Sequence, residues 1–270
     1  MTKEATGLTL WVQGIGLVGP GLASWASARE VLAGTRPHVS APTVLAPPLR
    51  LPPAERRRAG AAVKLALAIA DEAVAQAGID PATLATVFAS SRGEGINCHA
   101  LCETLATPAP MVSPTRFTNS VHNAAAGCWH IAVASRAAST SLCAHDGSFG
   151  AGLLEAATSV RLSGEPMLLV ASDSPYPEPL HATRPLPDHF GCALLLAPAP
   201  NAHTLASFTL TLDTSGDAAT ACDSASLDAL RRAIPAAAAL PLLAALAGAP
   251  LHAPLVIDYL PQLRLRIALA

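Results

Sequence analysis

The 270-residue sequence predicts an α/β fold in which helices cover both faces of a sheet. Apolar segments typical of strands alternate with helical segments through the first 200 residues, which is the pattern of such folds. Met167–Ser172 and Cys192–Ala197 are almost wholly apolar, as expected of strands buried on both faces. The chain is 51% hydrophobic and 13% charged, which excludes a disordered protein. Its net charge of −2 gives no general attraction to nucleic acid or anionic membranes.

The elements of the first half follow from periodicity and turn residues. Val63, Leu67 and Val74 fall on one face of a helix, and Gly78 follows that helix as a C-cap. The predicted elements are a strand at Leu8–Gly16, a helix at Leu22–Ala33, an irregular loop at Thr35–Pro53, a helix at Ala54–Ala77, a strand at Thr86–Ser90, a helix ending at Thr104, a helix at His122–Ser135 and a strand at Ser139–Leu142.

The second half continues the alternation. The apolar run Ala236–Ala249 is interrupted by Pro241 and Gly248, so it predicts a buried helix rather than a membrane span. The polar N-terminus lacks the apolar core of a signal peptide. The further predicted elements are helices at Gly147–Leu162 and Leu227–Arg232 and strands at Met167–Ser172, Cys192–Ala197, Leu205–Leu212, Leu255–Tyr259 and Leu263–Ala268.

The six cysteines form no C-x-x-C pair. Cys98 and Cys102 are four residues apart on one helix face, but no second ligand pair stands at zinc spacing. We therefore expect reduced, mostly buried thiols in a cytoplasmic protein. Nothing in the sequence implies a metal or a cofactor.

The turn after the strand Ser139–Leu142 holds the first candidate site. Cys143 with His145 suits a nucleophile and its base, because a helix N-terminus lowers a thiol pKa and holds an oxyanion. The alternative is a small buried thiol beside an exposed histidine. Asp146 is expected to cap the following helix.

Three other polar clusters have functional and structural interpretations. Phe117–Asn123 precedes a helix of small residues. The functional interpretation is a site or subunit contact, and the structural one is capping of a closely packed helix. Asp173 and the Asp188-His189 pair could carry out acid–base chemistry, or they could be polar side chains of a solvated loop. Arg56–Arg58 suits an acidic carrier protein or a solvated helix face.

Taken together, these segments resemble the N-terminal half of the β-ketoacyl synthases, over about residues 8 to 200. The run Ser113–Asn123 is most similar to the shortened ketosynthase-like chains of aryl polyene pathways, which pair as chain-length-factor-like partners with a complete ketosynthase. The segments that carry the resemblance are Val74–Pro81, Val87–Gly93, Ser113–Gly127, Ser139–Glu155, Met167–Asp173 and Cys192–Ala197.

The resemblance implies a thiolase-like layered α-β-α fold with a complete N-terminal half and a truncated C-terminal half. Residues 1–200 would form the ketosynthase-like domain, and residues 201–270 a short remnant packed on it. Counting back from Leu153–Ala156, Asp146 stands where active synthases carry the acyl-accepting cysteine, and Cys143 lies three residues earlier. The two family histidines that promote decarboxylation are missing, since only His203 and His252 follow residue 200, in unlike surroundings.

The resemblance also implies a partner interface without a catalytic centre of its own. Arg116 or Phe117 would reach into the partner's acyl tunnel and limit the product length. The strand Ser139–Leu142 would pair with the partner's equivalent strand across a two-fold axis, which would cover an otherwise open edge of the sheet. The residues expected at this interface or tunnel are Arg116, Phe117, Asn119, His122, Asn123, Ser139, Thr140, Ser141 and Leu142.

Three functions follow for testing. The first is a non-catalytic subunit that pairs with a complete β-ketoacyl synthase in polyketide or fatty-acid-type polyene synthesis, with an acyl carrier protein as a further candidate partner. The second is a stand-alone acyltransferase or thioesterase that uses Cys143 and a histidine. The third is a homodimeric α/β scaffold. None of the three involves nucleic acid or a membrane.

Overall fold

A computed structural model describes residues 7–270, and its eight strands form one mixed sheet. The strands are β1 (Leu8–Val18), β2 (Ala85–Ala89), β3 (Ser139–Leu142), β4 (Met167–Asp173), β5 (Phe190–Ala197), β6 (Ala206–Asp213), β7 (Leu255–Leu260) and β8 (Leu263–Leu269). Their order across the sheet is β3-β2-β4-β5-β1-β6-β8-β7. β2 pairs in parallel with β3 and β4, and the remaining pairs are antiparallel.

Helices lie on both faces of this sheet, as predicted. They are α1 (Trp25–Leu32), α2 (Pro53–Arg58), α3 (Ala61–Ala77), α4 (Gly95–Leu105), α5 (Pro114–Thr118), α6 (Ala124–Ala132), α7 (Ser148–Ser163), α8 (Leu180–Thr183), α9 (Ala225–Ala233) and α10 (Leu240–Leu246). Short 3₁₀ turns occupy Pro81–Thr83, His145–Gly147 and Pro235–Ala239.

Two hydrophobic clusters hold the layers together, one on each face of the sheet. Alternating residues of β4 show the division, because Leu169 packs in the larger cluster with α7 while Leu168 packs in the smaller cluster with α3. α3 lies so close to β1 that a β-carbon at Gly14 would stand 2.0 Å from the Ala73 carbonyl oxygen. This close approach explains the glycine within the first strand.

Two predicted helices differ from the structure. The helix predicted at Ala54–Ala77 is interrupted at Ala59 and Gly60, where the backbone is extended, so α2 and α3 are separate. The apolar run after residue 235 begins as the 3₁₀ turn Pro235–Ala239 and continues as the short α10, with Pro241 in its first turn. Proline suits the start of a helix because its missing N–H is not needed there.

Residues after 200 continue the same sheet. β6 pairs with β1, β8 pairs with β6, and β7 forms the outer edge. Phe208 of β6 and Leu240 of α10 are fully buried in the larger cluster, together with residues of β1 and α7. The division at residue 200 remains a prediction.

Candidate functional site

The turn between β3 and α7 is held in an unusual backbone conformation. His145 has φ +51°, a left-handed conformation that a residue with a side chain rarely adopts. The Ser148 hydroxyl fixes the turn, because it donates to the His145 carbonyl at 2.7 Å and accepts from the Ala144 N–H at 3.0 Å. The next residue, Asp146, is therefore presented at the surface rather than folded into the helix.

Asp146 is engaged by an arginine. One of its carboxylate oxygens pairs with the Arg184 guanidinium, and the other lies 3.2 Å from Nδ1 of His145. Gly147 is the N-cap of α7 and no side chain caps that helix, so the expected capping role of Asp146 is wrong. A carboxylate held by a guanidinium is a far weaker acyl acceptor than a thiolate.

Cys143 and His145 contact different partners in the structure. The Cys143 thiol donates to the Ser91 carbonyl at 3.2 Å, while the His145 ring faces Asp146. No hydrogen bond joins the two side chains in the part of the chain that the structure describes. The turn therefore lacks the contact that would activate this thiol.

The cysteines are all free, but the expectation that most are buried is wrong. Cys98, Cys102 and Cys143 are exposed, and only Cys192 is buried. Burial raises the pKa of the Cys192 thiol to about 12, and it does the same at the half-buried Cys222. Cys98 and Cys102 lie on the exposed surface of α4, which buries Leu101 against the rest of the protein.

A groove of about 820 Å³ opens beside Asp146. The strand–helix turn, α9 and the hairpin between β7 and β8 form its walls. Four arginines are among the lining residues: Arg184, Arg231, Arg232 and Arg264. This groove contains the position at which the resemblance places the acyl-accepting group.

The structure brings part of the predicted interface together, because Asn123, Ser139 and Ser141 line one cavity, while α5 packs on α4. β3 forms one edge of the sheet, and Ser139 and Thr140 are exposed there. α5 presents Phe117 with 65% of its surface exposed, and Arg116 beside it is exposed. His122 and Asn123 are exposed before α6, and Asn119 is half-buried. Other exposed apolar side chains of this region are Ile96, Leu105, Met111, Val112, Val121 and Ile131.

The two edges of the sheet differ. At β7, the Thr220 hydroxyl accepts from the Val256 N–H and the Thr220 N–H donates to the Val256 carbonyl, both at 2.8 Å, so a loop covers that edge. At β3, backbone hydrogen bonds run only to β2 within residues 7–270. The carbonyls of Ala138 and Leu142 accept from the N–H groups of Thr86 and Ser90. The N–H groups of the alternate residues, Ser139 and Ser141, therefore point away from the sheet.

The remaining sequence candidates are structural. Asp173 is buried, and Asp188 accepts from the Thr43 N–H at 2.9 Å. Neither carboxylate is therefore simply a solvated side chain of a surface loop. Burial lowers the pKa of His189, beside Asp188. Arg56 donates to the carbonyls of Leu49 and Leu51 and so braces the preceding loop.

Sequence reasoning missed Glu94 and Arg184. Glu94 is 5% exposed and lies beside the start of α3, where a β-carbon at Gly60 would stand 2.7 Å from its Oε2. Burial raises the pKa of its carboxyl, although the nearby Arg92 opposes this effect. Arg184 follows the small helix α8, and a lone arginine in a loop gave no signal that it pairs with Asp146.

The described residues offer no cluster for a metal and no membrane span. Within residues 7–270, no three histidine, cysteine, aspartate or glutamate side chains converge as metal ligands. No helix in that range is long and apolar enough to cross a membrane.

Comparison with protein families identifies the chain. The model of the β-ketoacyl synthase N-terminal domain matches residues 24–241, which is most of the sequence. This chain belongs to that family. None of the curated proteins matches it.

Solved structures share the thiolase-like fold of this family member. A chain of the ketosynthase ApeO in complex with its chain length factor ApeC, from Xenorhabdus doucetiae, has 22% identity and a TM-score of 0.72, over 97% of this chain and 99% of that chain. The ishigamide ketosynthase/chain length factor has 17% identity and a TM-score of 0.70, with the same two coverages. The ketosynthase from module 1 of the bacillaene synthase of Bacillus amyloliquefaciens FZB42 has 15% identity and a TM-score of 0.57, over 81% of this chain and 48% of that chain.

Proposed function

We propose that this chain is a non-catalytic, chain-length-factor-like subunit that pairs with a complete β-ketoacyl synthase and shapes its acyl tunnel. The products would be those of polyketide or fatty-acid-type polyene synthesis. The observation that carries this proposal is that Asp146, at the position where the resemblance expects the acyl-accepting cysteine, is held by Arg184 and offers no thiol. An acyl chain has no nucleophile there to accept it, so condensation would take place on the partner.

The extent of the matches supports the same proposal. The chain spans almost the whole of a chain from each of two ketosynthase and chain length factor assemblies, but only 48% of the bacillaene ketosynthase. The histidines that the resemblance requires in the C-terminal half also have no counterpart after residue 200. Six unpaired thiols suit a reducing compartment, so we place the complex in the cytoplasm.

The surface that would receive the partner is the side of the molecule that carries β3 and α5. β3 offers outward N–H groups at Ser139 and Ser141, and pairing with an equivalent strand would satisfy them. The exposed apolar side chains around Phe117 would be removed from water by the same contact. An acyl carrier protein would then meet the assembled pair rather than this chain alone.

The pairing is tested by co-expressing the chain with the complete ketosynthase encoded nearest to it and measuring mass by size-exclusion chromatography with light scattering. We expect a one-to-one complex. Ser141→Pro removes an outward N–H but leaves the pairing with β2 intact, so binding should weaken about tenfold or more. Ser141→Ala keeps the N–H and is the matched control. A chain that remains alone, or a Ser141→Pro variant that binds like the control, would contradict the pairing.

The tunnel function has a separate test in the same complex. Phe117→Ala and Arg116→Ala shorten the two side chains proposed to limit the partner's cavity, so the purified pair should release longer products. Leu105→Ala is the control, because Leu105 is also an exposed apolar residue of this region but lies at the end of α4. An unchanged product length, with the complex intact, would reject the tunnel function and leave the pairing standing.

A further inference from the structure

We propose that the groove beside Asp146 binds a small molecule that carries a phosphate group, and that the Asp146 carboxylate competes with this phosphate for Arg184. The inference does not depend on the proposed association of this chain with a ketosynthase. It rests on the placement of the arginines, on their partners within the chain and on the exposure of Asp146.

Four of the chain's arginines line this one groove, in a protein with a net charge of −2. The nearby carboxylates are Asp146 and Asp258 in the lining and Asp228 behind it. Asp258 lies 2.9 Å from Nε of Arg264, which also donates to the Leu260 carbonyl, so Arg264 braces the hairpin. The other three arginines are arranged differently.

Asp228 orients two of them. Its carboxylate accepts from Nε of Arg231 at 2.6 Å and lies 3.1 Å from Nε of Arg232. Both arginines line the groove, and within residues 7–270 only their Nε atoms make hydrogen bonds, so their terminal Nη groups remain without a partner there. The hydrogen bond from Arg231 lowers the pKa of Asp228, so this carboxylate stays ionised and holds the guanidinium groups in place. Guanidinium groups fixed in this way lose little freedom on binding an anion.

Arg184 supplies the third guanidinium, and it already holds an anion. Its partner Asp146 is 74% exposed, while Arg184 is only 23% exposed and lies against the Tyr176 ring at 5.8 Å. Arg184 is therefore the fixed member of the pair, and Asp146 is the member that can turn away into water. An incoming anion would take the position of the Asp146 carboxylate.

The competition selects the class of ligand. A tethered carboxylate is always close to Arg184, so a single external carboxylate gains nothing by replacing it. A phosphate dianion carries more charge and three acceptor oxygens, and Arg231 and Arg232 of α9 line the same groove as Arg184. The groove, at about 820 Å³, also has room for an organic group attached to the phosphate.

The test measures the binding of inorganic pyrophosphate to the full chain. Isothermal titration calorimetry gives the affinity, and the thermal unfolding midpoint is recorded with and without pyrophosphate at constant ionic strength. We expect pyrophosphate to bind and to raise the midpoint. Arg232→Gln, at an exposed position, should weaken binding about tenfold, and Asp146→Asn should strengthen it about tenfold by removing the competitor. Arg36→Gln changes an exposed arginine outside the groove and should bind like the unchanged protein.

Three results would overturn the proposal. One is an absence of pyrophosphate binding at millimolar concentration in both the unchanged protein and Asp146→Asn. Another is an equal affinity of Asp146→Asn and the unchanged protein, which would remove the competition. The third is citrate binding as tightly as pyrophosphate at the same ionic strength, which would show a site for anions in general.

Discussion

Asp173 shows how much one buried carboxylate can organise. It lies at the end of β4 and is 2% exposed. One oxygen accepts from the Ser91 N–H at 2.8 Å and the Ser91 hydroxyl at 2.7 Å, and the other accepts from the Ala236 N–H at 2.9 Å. Asp173 thereby joins the loop after β2 to the 3₁₀ turn at Pro235–Ala239. The sequence showed only an aspartate after an apolar strand, which looks the same whether the carboxylate is exposed or buried.

Removing this carboxylate should destabilise the protein strongly. Asp173→Ala leaves several buried donors without an acceptor, so we expect a loss of about 2 to 4 kcal/mol in the free energy of unfolding, measured by urea denaturation. Asp223→Ala removes an exposed aspartate and should change the value by less than about 0.5 kcal/mol. A loss below about 1 kcal/mol for Asp173→Ala would show that the donors find other partners.

The break between α2 and α3 shows what periodicity misses in an element. A continuous helix from Ala54 is compatible with the apolar spacing, but Gly60 is extended and a β-carbon there would lie 2.7 Å from Oε2 of Glu94. Glu94 comes from a distant part of the chain, and its side chain occupies the space beside the start of α3. Apolar periodicity depends on residues of one helix, so it predicted the body of α3 correctly, and the glycine at position 78 predicted its C-cap. Periodicity carries no information about a side chain from another element that lies at the start of the helix.

Glu94 should make stability depend on pH. Burial raises the pKa of its carboxyl in the folded protein, so the folded state keeps a proton that the unfolded state releases. Its contribution is therefore present below the ordinary pKa of a glutamate, about 4.3, and is lost as pH rises through the raised value. Glu94→Gln keeps nearly the same size without the titrating carboxyl, so its unfolding free energy relative to the unchanged protein should increase between about pH 4.5 and 7.

The comparison requires a matched variant, because other carboxylates titrate in the same range. Glu103→Gln changes an exposed glutamate of α4, and its pH dependence should parallel that of the unchanged protein. Urea denaturation at several pH values measures all three proteins. A constant difference between Glu94→Gln and the unchanged protein across this range would mean that Glu94 titrates as an exposed glutamate does.

At the level of the whole molecule, the predicted strands correspond closely to the observed ones, but their arrangement did not follow from the sequence. Apolar strands buried on both faces place β4 and β5 in the interior of a sheet, and the structure has them there. Strand order depends on contacts between residues distant in sequence, such as β1 between β5 and β6. Counting along the chain assigns Asp146 to the nucleophile position only as a prediction, and its pairing with Arg184 depends on a loop that no periodicity describes.

The continuity of the sheet leads to a prediction about residues 201–270. Phe208 of β6 is fully buried in the cluster that also contains β1 and α7, so this C-terminal segment shares its core with the first 200 residues. Phe208→Ala should lower the free energy of unfolding by about 3 to 5 kcal/mol within a single cooperative transition. Leu212→Ala, at a residue of the same strand that is 51% exposed, should have little effect. Fluorescence and circular dichroism recorded in the same urea titration would reveal a second transition if the segment unfolded separately. Two transitions, with only the weaker one shifted by Phe208→Ala, would mean that residues 201–270 dock on a core that is stable without them.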